Sequence, residues 1–462
     1  MTFIHDLEIF LSAAVDIVWG FPTVLLMVAF GIGLSFYLGG AKGLIQFRAF
    51  KHAFHVVRGR YDDPNDPGQI SHFKALCTAL SATIGLGNIG IVAIIIKLGG
   101  PGAIFWMILA GFIGMATKFA ETTLALTYRK IDSKGQAFGG PMYYIENGLG
   151  IKFRPLGKFY ALSIAIGSFG ISNMFQTNQS AEILFHSFGV PHFVTGLGMS
   201  IAAGFVVIGG ITRIARVSSL LMPFMATSYV LGCLVVLGFH IEKIPELFGL
   251  IFTSAFNTTA ISGGGVYAIH MAMLQGVKRA CFSNEAGLGS AAIAHSAAAT
   301  NEPVREGAVA LLGPFIDTVV ICTLTALVIL TTGVWETSTA VGVPLTAQAF
   351  DTVIFGFGKY FIPVSALLFA FSTLVSWSYY GEVSSYYLGG EKLVLPYKII
   401  FCIVAFLGAM WQIKAVLDFS DIMTGLMIFP NLFAILMLVK HVKTASNSYF
   451  TRLENGEFKV KK

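Results

Sequence analysis

The fold of this chain is decided by two similar stretches, Leu80-Ser-Ala-Thr-Ile-Gly-Leu-Gly-Asn-Ile-Gly90 and Phe282-Ser-Asn-Glu-Ala-Gly-Leu-Gly-Ser-Ala-Ala292. Each places Gly-Leu-Gly inside an otherwise apolar segment of helix length. In lipid, backbone that leaves helical geometry is tolerated only where it is buried in protein or lines a cavity, because its N–H and C=O groups lose their partners. Glycine-interrupted hydrophobic segments in both halves of a chain are typical of the binding site of secondary transporters. We therefore expect a substrate site between two broken helices.

The composition is that of a membrane protein. Hydrophobic residues make up 55% of the 462 residues, charged residues only 12%, and the mean hydropathy is +0.75. Soluble domains carry about 25% charged residues. The net charge of +6 is expected to come from basic residues that lie at one face of the membrane, next to the lipid. Binding to nucleic acid is not expected, because the sequence contains no soluble basic domain. The cysteines include no CxxC pair and indicate neither a metal site nor a disulfide framework.

The apolar segments predict eleven membrane-spanning helices, since each crossing needs about 20 apolar residues. They fall near residues 18–39, 73–98, 103–128, 157–182, 193–211, 214–240, 264–299, 308–333, 361–387, 396–412 and 420–440. The N-terminus lacks the basic start of a secretory signal, so we expect the first span to be retained. Residues 47–58 are amphipathic and basic, which predicts a helix on the cytoplasmic surface. The polar connection 337–359 is expected to cap one face.

Lysine and arginine collect on one side of these spans, mainly in residues 41–74, in residues 129–158 and from Lys440 onward. The opposing loops hold little more than Lys97, Lys243, Lys359 and Lys414. Because basic residues favour the cytoplasmic side, we predict a plasma-membrane protein with its N-terminus outside and its C-terminus in the cytoplasm. Lys278 and Arg279 fit less well, since they lie just before the second glycine stretch and need an aqueous vestibule or an acidic partner.

If the two glycine stretches mark equivalent helices, each begins a run of five. The first repeat then covers residues 72–240, with helices two to six, and the second covers residues 241–440, with helices seven to eleven. An odd number of helices per repeat forces the repeats into inverted orientations. Residues 1–71 hold a peripheral first helix and the amphipathic segment, and residues 441–462 form a basic cytoplasmic tail. The predicted fold class is all-α, with a 5+5 inverted repeat after one extra helix.

Six motifs lie in collinear order over most of the chain. They are Ala79-Leu-Ser-Ala-Thr-Ile-Gly-Leu-Gly-Asn-Ile-Gly90, Gly99-Gly-Pro-Gly-Ala-Ile-Phe-Trp-Met107, Gly114-Met-Ala-Thr-Lys-Phe-Ala-Glu-Thr122, Gly139-Gly-Pro-Met-Tyr-Tyr-Ile145, Ser283-Asn-Glu-Ala-Gly-Leu-Gly-Ser290 and Phe315-Ile-Asp-Thr318. They closely resemble the motifs of the alanine or glycine:cation symporter family, the sodium:alanine symporters of bacteria and archaea. Gly85-Leu-Gly-Asn88 is also similar to a motif of the neurotransmitter:sodium symporters. The resemblance implies a leucine-transporter-like core, coupling to Na+, and small neutral amino acids as substrates, with L-alanine, glycine and D-alanine as candidates.

A broken helix exposes two chemically different ends. The N–H groups of its outer half carry partial positive charge and suit a carboxylate, whereas the carbonyls of its inner half suit Na+ or an ammonium group. We expect the substrate carboxylate near the N–H groups of Gly87 and Asn88, with the carbonyls of Thr83 and Gly85 toward the amine. The alternative is that the glycines only allow close helix packing, but the repetition at residues 287–289 and the family resemblance favour binding.

Polar and aromatic neighbours of the two stretches extend this site. The Asn88 amide either bridges substrate and ion or caps the helix end. In the second stretch, Ser283 and Asn284 are the polar partners and Phe282 is a wall of the pocket.

Two further helices are expected to complete the pocket. Helix four is too polar to face lipid, and Gln176 is its expected substrate contact, with Asn173 and Gln179 as alternatives. On helix nine, Trp377 lies one turn beyond Thr373 on the same face. Its indole leaves little volume beyond a methyl group, which suits alanine and glycine; the alternative role is an interfacial anchor.

By analogy with the conserved sodium site of this fold, oxygens from two helices are predicted to bind Na+. They are the carbonyls of Ser81, Ile84 and Phe369 and the hydroxyls of Ser372 and Thr373. The alternative is that both hydroxyls bond to their own helix, as Ser and Thr often do.

Ionisable residues inside the spans are functional candidates by default. Asp317 is a second cation site, a proton relay or a hydrogen-bonded anchor. Glu285 is expected to be a structural acid paired with the basic residues at 278–279; the alternative, less favoured, is a substrate ligand. Lys118 and Glu121, three residues apart on helix three, are expected to neutralise one another or to form an inner gate.

These features favour a sodium-coupled symporter that imports alanine, glycine or both by alternating access. The alternative within transport is a proton-coupled carrier of small neutral amino acids, including serine or glutamine. An ion channel is disfavoured, because channels are usually symmetric oligomers around a pore, whereas this chain holds its own inverted repeat. A membrane enzyme is disfavoured because the spans show no paired acids or histidine clusters.

Overall fold

The computed structural model describes residues 2–132, 135–256 and 265–461, and within these ranges the chain is almost wholly helical. The α-helices, α1 to α22 in chain order, are Thr2–Val18, Phe21–Gly39, Ile45–Val57, His72–Thr83, Val92–Gly99, Gly102–Thr127, Pro141–Leu149, Arg154–Ser168, Phe175–Phe188, His192–Val207, Gly210–Gly238, Ile244–Phe256, Gly265–Asn284, Ser290–His295, Pro303–Ala310, Leu312–Pro314, Thr323–Thr332, Val334–Thr337, Val343–Asp351, Phe357–Gly389, Glu391–Gly408 and Ile413–Glu454. Three π-helical segments, Gly87–Ile91, Phe169–Met174 and Phe315–Cys322, join some of them, and short 3-10 turns cover Gly40–Lys42, Ile151–Phe153 and Ile241–Lys243. The strands β1 (Lys130–Ile131) and β2 (Ala137–Phe138) pair antiparallel.

The longest helices are long and apolar enough to cross a membrane. Six segments of the described chain meet this criterion, namely Phe10–Lys42, Gly102–Thr127, Gly210–Gly238, Pro303–Thr332, Phe357–Gly389 and Ile413–Glu454. The pair His72–Thr83 and Gly87–Gly99, bent by 48°, is a seventh candidate. Each of the spans predicted from the sequence contains helix. The chain is therefore an all-α, multi-pass membrane protein, as predicted.

Polar residues gather on the central helices. In α4 every side chain from Ala75 to Thr83 is buried, and so is the run Ser372–Gly381 of α20. The outer helices α10, α11 and α21 instead expose large apolar side chains such as Phe205, Leu220 and Ile403. Because buried polar groups need partners or a ligand, the centre of the bundle is where a polar site is expected.

Both predicted helix breaks are present. After α4, Ile84 is extended, with φ −75° and ψ 93°, and the helix resumes at Gly87. After α13, Glu285, Gly287 and Gly289 have φ values of 57°, 88° and 79° before α14 begins. Left-handed backbone at several positions cannot continue a right-handed helix, so the helical backbone is interrupted at this second stretch.

Several elements were not expected from the sequence. Helix α1 precedes the first predicted span, and α12 lies in a predicted loop. Helix α18 ends where the connection 337–359 begins, and α19 lies within that connection. α19 lies over the first break, where Thr346 Oγ1 donates to the Ile89 carbonyl at 2.8 Å. Helix α22 continues to Glu454, so residues 441–454 prolong a membrane helix. The division into repeats at 72–240 and 241–440 stays a prediction.

Candidate functional site

The two breaks enclose a small cavity together with α9 and α20. It is lined by Ala82, Thr83, Gly87, Ile171, Gln176, Phe282, Glu285, Thr373 and Trp377. Its volume is about 10 Å³, about enough for one water molecule. Most residues of the predicted substrate site thus meet at one place, while Gly85, Asn88 and Ser283 lie just behind the lining.

Gly85 allows the first break to approach the other walls. A Cβ at this position would lie 2.6 Å from Thr373 Oγ1 and 3.1 Å from the Gln176 amide nitrogen. The Leu86 N–H donates to Gln176 Oε1 at 3.2 Å. The alternative amides of helix four lie elsewhere, since Asn173 donates to the Phe401 carbonyl at 2.7 Å and Gln179 to Asn178 at 3.3 Å. Gln176 is therefore the amide of helix four that reaches the break.

Asn88 caps the first break. Its Oδ1 accepts from the Gly85 N–H at 2.9 Å, and its own N–H donates to the Gly85 carbonyl at 3.2 Å. The backbone N–H of Asn88 and the carbonyl of Gly85 were both predicted to face a substrate. In this conformation they form a hydrogen bond with each other. The capping interpretation of the Asn88 side chain is thus observed.

Asp317 connects the two breaks. Its carboxylate accepts from Asn88 Nδ2 at 2.6 Å, from Ser283 Oγ at 2.8 Å and from Thr318 Oγ1 at 2.7 Å. Asn284 Nδ2 donates to Thr318 Oγ1 at 2.9 Å. Asp317 is fully buried, and a buried carboxylate requires such donors. It therefore acts as a hydrogen-bonded anchor between residues of both breaks, on the π-helical segment Phe315–Cys322.

The oxygens predicted to bind Na+ converge between α4 and α20. Thr373 Oγ1 lies 3.0 Å from the Ser81 carbonyl and 3.3 Å from the Ile84 carbonyl. Ser372 Oγ lies 3.4 Å from the Ser81 carbonyl and 3.0 Å from the Phe369 carbonyl. The Ser81 hydroxyl is buried and lacks a hydrogen-bond partner. A cluster of neutral oxygens with an unsatisfied hydroxyl beside it fits a hard cation such as Na+, which prefers oxygen ligands.

Glu285 is paired differently from the prediction. Its carboxylate accepts from Trp377 Nε1 at 2.7 Å and from the Ser290 hydroxyl. The expected partners bind Asp421 instead, with Lys278 Nζ at 2.6 Å and Arg279 Nη1 at 2.9 Å. The predicted pairing of Glu285 is therefore wrong, because the basic pair faces α22 while the break turns Glu285 toward α20. An acidic partner for this pair was expected, and Asp421 fills that role.

A second acid supports the backbone of the second break. Lys118 and Glu121 pair at 3.7 Å, as predicted. Glu121 Oε2 accepts from Asn431 Nδ2 at 3.0 Å, and the same amide lies 2.7 Å from the Gly287 carbonyl. The Tyr160 hydroxyl donates to the Leu288 carbonyl at 2.7 Å. Asn431 was not predicted; the available signal was a single amide directly after Pro430, within the apolar run of residues 425–439.

The two ends of the bundle differ. One end, which we call the vestibule end, holds a cavity of about 940 Å³ lined by residues that include Lys97, Gln179, Glu182, Asp351 and Lys359. It is the end where α19 covers the first break and where α22 begins. At this end α19 therefore lies between the large cavity and the first break.

The opposite end is held together by buried and partly buried hydrogen bonds. The Arg129 guanidinium donates to the carbonyls of Ser296, Ala298, Pro67 and Thr300 at 2.6 to 2.9 Å. Glu306 is bonded to His72 and to His295. These contacts join the starts of α4 and α15 to the end of the second broken helix, so this end is closed.

A small cavity with polar groups between two broken membrane helices is the arrangement of a secondary transporter. The sequence matches the model of the sodium:alanine symporter family over residues 4–462, and the chain belongs to this family. Family members and relatives are transporters, so the chain is an amino-acid:cation symporter, and the family name implies sodium as the coupled ion.

Individual relatives agree with this assignment. The chain is 42% identical over 448 residues to "Sodium/alanine symporter AgcS" of Methanococcus maripaludis, covering 96% of this chain and 97% of that protein. It is 35% identical over 453 residues to "Probable sodium/glutamine symporter GlnT" of Bacillus subtilis, covering 98% and 92%. Among solved structures, MhsT in complex with L-phenylalanine matches with a TM-score of 0.54 at 16% identity, over 82% of this chain and 99% of that one. This match confirms the leucine-transporter-like fold.

Proposed function

We propose that this chain imports L-alanine, glycine or both, together with Na+, and binds the amino acid in the cavity between the breaks. The observation that carries this proposal is the wall of that cavity, where Phe282 and Trp377 close the space around polar groups of Thr83, Gln176 and Thr373. Once the cavity opens, we expect the two aromatic rings in its wall to admit a hydrogen or methyl side chain and to exclude a branched one. D-alanine has the same volume and is a further candidate.

Substrate entry requires the walls to move apart. The cavity holds about one water molecule, which is less than any amino acid occupies. Opening toward the vestibule end separates α19 from the first break, and opening at the other end breaks the contacts of Arg129. These alternating movements are the expected transport cycle.

The sodium site is proposed between α4 and α20, at the carbonyls of Ser81, Ile84 and Phe369 and the hydroxyls of Ser372 and Thr373. Ile84 ends the inner half of the first broken helix, so Na+ bound there orders the backbone that precedes Gly85. A cation that orders the substrate site raises substrate affinity, and the substrate must raise cation affinity by the same factor.

The vestibule end is proposed to face the outside of the plasma membrane. Basic residues between α2 and α4, and again between α6 and α8, lie at the closed end, and basic residues favour the cytoplasm. On this assignment the C-terminus is cytoplasmic and the N-terminus is outside.

Uptake by purified protein in liposomes tests the function. Labelled alanine, glycine, serine and glutamine are offered with Na+ or K+ outside, at equal pH on both sides. We expect uptake of alanine and glycine that requires the Na+ gradient. Uptake driven by an imposed pH gradient in K+ alone contradicts sodium coupling and supports the proton-coupled alternative. A preference for glutamine, which the name of one relative contains, contradicts the proposed substrate.

A further inference from the structure

The indole of Trp377 is held in place by a residue of the second break. Trp377 is 1% exposed and lines the central cavity. Its N–H donates to Glu285 Oε1 at 2.7 Å, and its ring meets the Tyr380 ring edge-on at 5.2 Å. A buried tryptophan normally needs a partner for its N–H, and here that partner is a carboxylate from another helix.

Glu285 is itself rigidly placed. Among the described residues it is the one non-glycine residue with positive φ, at 57°, a conformation that only glycine adopts readily. Its second carboxylate oxygen accepts from the Ser290 hydroxyl at the start of α14. The side chain thus ties the start of α14, after its own break, to α20.

Because Glu285 of the second break holds Trp377, the backbone conformation of that break influences the size of the cavity that Trp377 lines. If Glu285 releases the indole N–H, the ring loses the hydrogen bond from the second break, and we expect the part of the wall that Trp377 forms to recede. The Phe282 ring has its own support, an edge-on contact with Phe175 at 5.5 Å, so it does not depend on Glu285.

We propose that Glu285 is a positioning residue that orients the Trp377 indole and thereby sets the upper size limit for the substrate side chain. This rests on the proposed function, because it assumes that an amino acid binds in the cavity. Glu285 also lines the cavity, and we assign its effect on substrate size to its hydrogen bond with the indole.

Competition assays test the specificity claim. In liposomes, Glu285→Ala and Trp377→Phe should each let valine and leucine compete with labelled alanine at least about tenfold better than in the wild type, the scale on which an apolar pocket rejects one methylene. Glu285→Gln keeps an oxygen that accepts the indole N–H, so it should restore wild-type exclusion. Matched controls are Glu336→Ala, an exposed acid, and Trp106→Phe, whose N–H donates to the Ala255 carbonyl.

A spectroscopic readout separates this inference from the proposed function. In detergent, Glu285→Ala is introduced into the wild type and into a Trp377→Phe background. It should change the tryptophan fluorescence emission in the first background and leave it unchanged in the second, whether or not any substrate is transported. An equal change in both backgrounds overturns the contact. If the wild type transports alanine with Na+ but Glu285→Ala still excludes leucine, the positioning role is wrong and the proposed function stands. If the wild type fails to transport alanine while the emission result holds, the proposed function fails and the contact remains.

Discussion

The hydroxyl groups of Ser372 and Thr373 are the side-chain oxygens of α20 at the proposed sodium site. The Thr373 hydroxyl reaches the carbonyls of Ser81 and Ile84 on α4, whereas Ser372 also bonds the Phe369 carbonyl of its own helix. The alternative was that both hydroxyls bond to their own helix. Ser372 does so in part, whereas the Thr373 hydroxyl contacts α4 across the interface. These two neighbours are the residues through which the sodium hypothesis is best tested.

Replacing both hydroxyls, as Ser372→Ala with Thr373→Ala, should raise the Na+ concentration for half-maximal alanine uptake more than tenfold. Each lost hydrogen bond or ion contact to a charged group is worth about 1.5 kcal/mol, while the loss of packing volume is small. The control is Ser384→Ala on the same helix, whose hydroxyl bonds the Tyr380 carbonyl at 2.8 Å. Unchanged Na+ dependence in the double variant removes α20 from the ion site.

At the residue scale, the sequence predicted residue types better than pairings. The sequence predicts Gln176, Trp377 and Thr373 as site residues because a polar or bulky side chain in an apolar span needs a structural or functional reason, and all three line the cavity. The partner of Glu285 was missed, because the register across two helices is set by tertiary packing that spacing along the chain does not contain. Asp421 lies far from Lys278 in sequence, so their ion pair could not be predicted for the same reason.

At the scale of elements, the two breaks have different backbones. The first contains an extended residue and a π-helical turn, whereas the second has three residues with positive φ. The repeated Gly-Leu-Gly predicted both positions, because glycine is the residue that relaxes helical geometry most easily. It did not predict that Glu285 would be left-handed, since the sequence offers no local reason for a glutamate there.

Gly289→Ala should lower the thermal midpoint of the purified protein. Its φ is 79°, and a Cβ would lie 2.2 Å from Pro141 Cγ; left-handed backbone alone costs alanine about 1–2 kcal/mol. Gly198→Ala on α10 is the matched control, because its Cβ meets open space. An unchanged midpoint in Gly289→Ala would mean that the second break is not the rigid turn described here.

At the scale of the whole molecule, the closed end joins α3, the end of α22 and the start of α15. His52 of α3 bonds the Tyr449 hydroxyl at 2.7 Å, and Arg305 reaches the Tyr61 carbonyl at 2.9 Å. The sequence predicted α3 from its amphipathic pattern and predicted a tail after residue 440. It did not predict that the tail begins as helix and packs on α3, because that contact joins two distant segments.

Stability should fall as the pH is lowered below about 6.5. Burial, with the Arg305 guanidinium nearby, lowers the pKa of His52 to about 4 from the ordinary 6.5. The unfolded chain therefore binds more protons than the folded one between these values, so stability is lost as the pH falls from about 6.5 toward 4, by up to about 3 kcal/mol. His52→Gln should flatten this pH dependence of the thermal midpoint; an identical pH profile in the variant contradicts the assignment.

The orientation in the membrane is testable without transport. In a Cys402→Ser background, cysteines at Gly135 and Gly456 should be shielded from an impermeant thiol reagent added to intact cells, and a cysteine at Thr339 should react. All three positions are exposed at the protein surface. Labelling at Gly456 in sealed cells means that the proposed topology is inverted or the number of spans is wrong by one.

Equilibrium binding of labelled L-alanine to the purified protein, in Na+ and in K+ at equal ionic strength, tests the central claim most directly. The amino acid and the cation are proposed to occupy adjacent sites on the same broken helix, and such coupling must appear in the binding constants themselves. We predict that Na+ increases alanine affinity at least tenfold, a coupling of about 1.4 kcal/mol, and that alanine increases Na+ affinity equally. Alanine affinity that is the same in Na+ and in K+ contradicts the account.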